Sequence, residues 1–335
     1  MELERQALKL GAAAIVCALI LRLASNLPSE VKSFLSGPEM TRIAILLHTG
    51  RLVRLPEEIT TPAISLTEPT ESTQTDVPVT TPAETAVAVF EEQDAALVSV
   101  NSYCGYETDL SALLQTPLSW DLTEAAPAVL ILHSHGSESY VNLEGYRESS
   151  PHRTLDTDYN MVSVGTHLAE LLEAGGVHVI HDTTLHDYPS YNASYGNARE
   201  SMADYLSRYP GICLVLDLHR DAVELSDGTQ KKFTVATPQG EAAQLMMVVG
   251  TDASGLDHPD WPSNMALAVK LHAQLEKLVP GSCRPISFRS QRFNQDLSSG
   301  ALIVEVGAAG NTHQEALLGA ELLAQAILSM AGGTA

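Results

Sequence analysis

Short runs of unbroken apolar residues recur along the second half of the chain, at 128–132 (AVLIL), 177–180 (VHVI), 213–218 (CLVLDL), 245–250 (LMMVVG) and 301–306 (ALIVEV). Runs of this length without polar alternation are the pattern of strands covered on both faces. Segments with apolar positions at helical spacing lie between and after them, at 159–174, 197–209, 264–278 and 312–330. Gly175 and Gly176 form a stop for the first of these helices, and Asn311 or Thr312 a cap for the last. Strands alternating with helices predict the α/β class, a mostly parallel central sheet flanked by helices. No internal repeat is present.

The pattern ahead of this region is different. An apolar stretch at 10–21 sits between Lys9 and Arg22. Alone it is shorter than the roughly twenty residues that cross a bilayer. With its flanks, and with Lys9 and Arg22 snorkelling, it approaches spanning length. A signal-peptide core has a similar length, but no small-x-small cleavage site follows Arg22. Residues 1–30 therefore read as a membrane anchor, a single transmembrane helix. Residues 31–97 read as a juxtamembrane segment and a Thr/Pro/Glu-rich tether, whose composition cannot bury enough apolar area to offset ordering. Residues 98–335 then form one folded domain.

Composition narrows the partners. The 335 residues carry a formal net charge of −22, and the few basic residues are scattered, which excludes a phosphate-backbone partner such as nucleic acid. Cys17, Cys104, Cys213 and Cys283 form no CxxC pair, so neither a disulfide framework nor a thiolate zinc site is indicated.

Chemistry gathers where apolar runs end. His135 and Glu138 follow the first run, His219 ends the third (CLVLDLH), and Glu305 lies near the end of the last, before a Gly-rich turn. In parallel α/β sheets, sites form beyond the carboxyl ends of strands, so these groups can meet on one edge. Two imidazoles and one carboxylate are the N/O ligand set of a catalytic zinc site with one position left open. Glu305 then has the place of the general base. Alternatives stay open at this point. His133, two residues before His135, points the same way on an extended segment and reads as a supporting group or a rival ligand. Asp158, ahead of the 159–174 helix, is a rival to Glu138. Arg220 and Asp221 are candidates for orienting substrate or ligands. Asn294 and Gln295 offer amides to a peptide backbone, or simply form a turn with internal hydrogen bonds. His178 and His181 flank a strand without a carboxylate partner. His152, His167, His186, His258, His272 and His313 read as surface or loop residues.

The segments HSHGSESY, RTLDTDYNMVSVGTHLAELLE, VIHDTTLHDYPSYNASYGNARE, LDLHRDA and FNQDLSSGALIVEVGAAGNT occur in this order within about residues 99–331. Together they resemble the signature segments of the stage II sporulation protein P family. Ser134 stands where the family's first motif has Thr, a change that keeps the hydroxyl. The resemblance implies a membrane-anchored, zinc-dependent N-acetylmuramoyl-L-alanine amidase of the cell wall, with an added endopeptidase activity on peptide cross-links. It implies a role in forespore engulfment, with the catalytic domain between the forespore and mother-cell membranes. It further implies two partners, the lytic transglycosylase stage II sporulation protein D and the membrane protein stage II sporulation protein M. The family's zinc ligands fall on His135, Glu138 and His219, and its catalytic acid on Glu305. Two other readings are a zinc carboxypeptidase-type hydrolase of stem peptides and a non-catalytic wall-binding adaptor.

Overall fold

The computed structural model describes residues 88–118, 120–123, 127–141 and 152–331. The expected anchor and nearly all of the expected tether lie outside the described residues. Among the described residues, no helix is long and apolar enough to cross a membrane.

The described residues form nine strands and five α-helices, in chain order β1 (Val100–Ser102), α1 (Leu110–Gln115), β2 (Val129–Leu132), α2 (Met161–Ala174), β3 (Val179–His181), α3 (Ser194–Arg208), β4 (Leu214–Asp221), β5 (Thr234–Thr237), β6 (Gly240–Ala243), β7 (Leu245–Val249), α4 (Trp261–Leu278), β8 (Ile286–Phe288), β9 (Ala301–Ala308) and α5 (His313–Ser329). Seven strands form one sheet in the order β1-β8-β7-β9-β4-β2-β3. Its pairings are parallel except β7 with β9. The mostly parallel sheet flanked by helices thus matches the expectation. β7 runs against β9 because it follows directly from the antiparallel hairpin β5–β6, with Gln244 alone between, instead of returning through a helix. The hairpin and the three-residue strands β1 and β8 were invisible in the apolar pattern, being too short or too polar to show as buried runs.

The continuous apolar runs work as proposed. Along β2, alternate residues serve opposite layers: Val129 and Ile131 join the main core with Met161 and Leu168 of α2, whereas Leu130 and Leu132 pack with Ala198 and Met202 of α3. Local signals fix the helix ends. Asn160 caps α2 by accepting from the Val162 amide, and Thr312 with Glu315 forms a capping box on α5. Packing also takes in residues ahead of 98. Ala88 and Phe90 are buried, and the Lys270 and Lys277 ammonium groups stand 4.7 and 5.2 Å from the Phe90 ring.

The register of β4 with β9 decides where the chemistry lands, since it sets His219 beside Glu305. Gly300 sets the approach of these strands. Its carbonyl accepts from the Val215 amide at 2.9 Å, and a Cβ at this position would stand 1.9 Å from the Cys213 carbonyl oxygen. Gly300→Ala is expected to destabilise the protein by about 3 kcal/mol or more, since the obstacle is backbone that cannot move aside. Urea denaturation of the variant reads this as a lowered midpoint; an unchanged midpoint would refute the close-approach account.

Candidate active site

Three neighbouring parallel strands, β2, β4 and β9, end on the same sheet edge. The chain leaves β2 at His133 and turns through Ser134–Ser137. Asp217 and His219 lie two residues apart on β4, hence on one face. Asp217 holds the turn to the strand: its carboxylate accepts from the Ser134 amide at 2.7 Å and the Ser134 hydroxyl at 2.5 Å. The same carboxylate stands 2.9 Å from His219 Nε2, at ion-pair distance but outside hydrogen-bond alignment. The other ring nitrogen, Nδ1, faces Glu138 Oε2 at 3.7 Å. The His135 and His219 rings lie 5.2 Å apart, edge to face. His135 Nδ1 and Glu305 Oε2 are buried with no hydrogen-bond partner.

Charge is crowded here. Burial disfavours a charged His219, yet Asp217, Glu138 and Glu305 together push its pKa up to about 10. Burial raises Glu305, and although His219 opposes this, Glu138 and Asp221 add to it, so its pKa is pushed up to about 8. Burial also works against a charged Glu138, but Arg220, His219, His135 and Arg153 hold its pKa below the usual value. Arg153 Nη2 donates to Glu138 Oε1 at 3.1 Å, and the Arg220 amide donates to Oε2 at 3.2 Å.

His135, Glu138, His219 and Glu305 are therefore brought together. The remaining sequence candidates have other positions. His133 is fully buried below the turn, with Nε2 2.9 Å from His181 Nε2 and Nδ1 3.2 Å from the Leu218 carbonyl. Because the chain turns immediately after β2, His133 and His135 do not continue one extended face as expected. Burial and the His181 charge push the His133 pKa down to about 3. Asp158 is exposed in the turn before α2 and lines a surface pocket with Thr157 and Thr183. Arg220 is buried, donating to the carbonyls of Ser139 and His152. Asp221 pairs with Arg284 at 2.7 Å. Gln295 spends its amide on β7, accepting from Gly250 N and donating to the Val248 carbonyl. Asn294, at a left-handed φ of 62°, donates to the Tyr195 carbonyl. Both amides thus serve the backbone, the turn reading of this segment.

Sequence reasoning passed over several residues. Asp217 had a signal, since period two on β4 places it beside His219. His181, without a carboxylate partner in the sequence pattern, has His133 as its partner. His272 is buried within α4, contrary to the surface-or-loop reading, whereas His186 and His258 lie in loops as expected but are buried; His186 stands 3.1 Å from Asp182. Tyr191, stacked on His135 at 4.5 Å and 9°, and Tyr195, edge-on to it at 5.4 Å, come from the start of α3 and the 3-10 turn before it. No spacing in the sequence marks them as neighbours of the site.

The donors suit zinc in kind. His219 Nδ1 and Glu138 Oε2 are separated by little more than the about 3.4 Å that two ligands of one tetrahedral zinc have, and His135 Nδ1 is a buried nitrogen without a partner. Among the described residues, no three His, Cys, Asp or Glu side chains stand in a ready metal cluster, and Arg153 and Arg220 engage the Glu138 carboxylate.

Fold and site define an α/β protein with two imidazoles and two carboxylates on the carboxyl edge of its sheet. The family model of stage II sporulation protein P matches residues 54–328, and the chain belongs to that family. Stage II sporulation protein P of Bacillus subtilis (strain 168) is 28% identical over 200 residues, 56% of this chain and 47% of that protein. The chain thus spans about half the length of this curated relative. Among solved structures, similarity extends to the N-acetylmuramoyl-L-alanine amidase AmiC2 of Nostoc punctiforme, at 13% identity and TM-score 0.38, covering 61% of this chain and 97% of that one. The amidase Ami1 of Mycobacterium smegmatis is similar at 14% identity and TM-score 0.38, covering 63% and 99%.

The raised Glu305 pKa has a consequence for stability. Between its ordinary value of 4.5 and about 8, the folded metal-free protein keeps a proton that the unfolded chain releases. Stability from this group is full below pH 4.5 and is lost as pH rises through that window. In chelator, Glu305→Gln should match the parent near pH 4.5 and exceed it at pH 8.5 in thermal denaturation. Parallel pH profiles for the two proteins would contradict the assignment.

Proposed function

We propose that this chain is a zinc-dependent peptidoglycan hydrolase that cleaves the amide between the lactyl group of N-acetylmuramic acid and L-Ala, with an added endopeptidase activity on peptide cross-links. The observation that carries this reading is the convergence of His135, Glu138, His219 and Glu305 from three strand ends, with His135 Nδ1 and Glu305 Oε2 buried and unpartnered. Membership of the stage II sporulation protein P family supports the substrate and a role in forespore engulfment. Membrane attachment through residues 1–30 and work alongside stage II sporulation proteins D and M belong to the same proposal.

In this mechanism His135, Glu138 and His219 would hold the ion. Zinc, when bound, supplies a Lewis-acidic positive charge beside the scissile carbonyl. Asp217, at ion-pair distance from His219 Nε2, favours the ring orientation that turns Nδ1 toward Glu138. Arg153 and Arg220 hold the Glu138 carboxylate in place. Glu305 takes a proton from the attacking water and delivers it to the departing nitrogen of L-Ala. A carboxylate of high proton affinity suits both halves of that transfer.

Digestion of purified peptidoglycan by the full chain, with products identified by mass, tests the reading. Free L-Ala amino termini and intact glycan strands are expected, and a chelator should abolish their release. Glu305→Gln should lower turnover by about 10²- to 10⁴-fold, the usual contribution of a general base. Release of terminal D-residues alone would instead favour the carboxypeptidase-type reading, and unchanged turnover in Glu305→Gln would remove the assigned base.

A further inference from the structure

A second concavity adjoins the catalytic cluster. Ser137, Arg153, Leu155, Asp187, Tyr188 and Tyr191 are among the residues lining a cavity of ≈ 250 Å³. It shares Arg153 with the centre through the Glu138 contact, and Tyr191 through the stack on His135. Two features distinguish it from an ordinary surface hollow. Tyr188 and Tyr191 are 58% and 52% exposed, and Leu155 is 40% exposed, so large apolar faces stand open beside a site that would hold a polymer. The wall that carries them is also fixed. Asp187 accepts from the Ser137 amide and hydroxyl and from Arg153 at 2.8 Å, and the Arg153 guanidinium lies 4.6 Å from the Tyr191 ring centre.

Charge selects the occupant. Arg153 lies between Glu138 at 3.1 Å and Asp187 at 2.8 Å, so its single positive charge faces two carboxylates. Such a cavity does not attract the carboxylates of a stem peptide. It suits an uncharged ring with one apolar C–H face to lay on tyrosine and hydroxyl or acetamido groups to meet the phenols. The substrate of the proposed reaction carries both kinds of group, with sugar on one side of the scissile amide and acidic peptide on the other.

We propose that this cavity is a saccharide subsite, in which Tyr188 and Tyr191 seat an N-acetylated pyranose of the glycan strand beside the hydrolytic centre. The inference rests on the peptidoglycan reading above and adds the side of the centre on which the glycan lies. Tyr191 also packs on a candidate ligand, so Tyr188 is the residue to test.

Equilibrium binding of the full chain to two probes decides the matter: uncharged oligomers of N-acetylglucosamine, and the free stem tetrapeptide. Tyr188→Ala should weaken binding of the glycan oligomer about tenfold, the scale of one lost aromatic contact. It should leave tetrapeptide binding unchanged, and Tyr188→Trp should keep glycan binding near the parent value. Absence of glycan binding in the parent would overturn the proposal. So would unchanged glycan binding in Tyr188→Ala, or an equal loss for both probes. The oligomer holds no amide between lactyl group and peptide, so this result is independent of turnover. A failure of the amidase reading would appear separately, in the products from intact peptidoglycan.

Discussion

The Asp217 carboxylate is the joint on which the site depends. A parallel sheet brings strand ends to one edge, but it does not say where the loop beyond a strand goes. Asp217 fixes that loop by taking both the amide and the hydroxyl of Ser134. It also stands against His219 Nε2, leaving Nδ1 toward Glu138. A buried carboxylate is costly unless its oxygens are satisfied, and here the groups that satisfy it are the ones that need placing. A Ser for Thr exchange at position 134 keeps this contact because the hydroxyl is what Asp217 uses.

Around that joint the site is built to favour positive charge. Asp217, Glu138 and Glu305 surround the His219 imidazole, and each makes the others harder to ionise. His219 among these carboxylates, and Glu305 through burial first and its acidic neighbours second, both bind protons far more tightly than isolated side chains do. Arg153 and Arg220 relieve part of the strain at Glu138, at the cost of competing for its oxygens. Metal binding to such a set displaces protons, so proton affinity and metal affinity are two views of one electrostatic arrangement. Tyr191 and Tyr195 pack their rings on the His135 imidazole, one stacked and one edge-on.

Much of the architecture was legible in the apolar pattern because β2, β4 and β9 are buried on both faces, and burial leaves an unbroken signature. The four main site residues were legible for the related reason that they sit at or just beyond those runs. What escaped lacked such a signature. The hairpin β5–β6 is partly exposed, and β1 and β8 are three residues long. Arg153, Tyr188 and Tyr191 reach the site from loops, where no period governs direction. Asp158, ahead of the 159–174 helix, rivals Glu138 as an acid in the sequence, and only the fold shows Asp158 exposed and Glu138 buried beside His219. The two readings of Gln295, substrate amide or turn, stay open in the sequence because nothing there reveals that the β7 backbone claims both ends of its amide.

The central claim is that three strand ends compose one zinc site. Its most direct test is the zinc content of the purified full chain after dialysis, measured by elemental mass spectrometry for the parent, His219→Ala and Asp158→Asn. The account predicts one zinc per chain in the parent and in Asp158→Asn, and none above background in His219→Ala. Zinc retained in full by His219→Ala, or lost from Asp158→Asn, would contradict it.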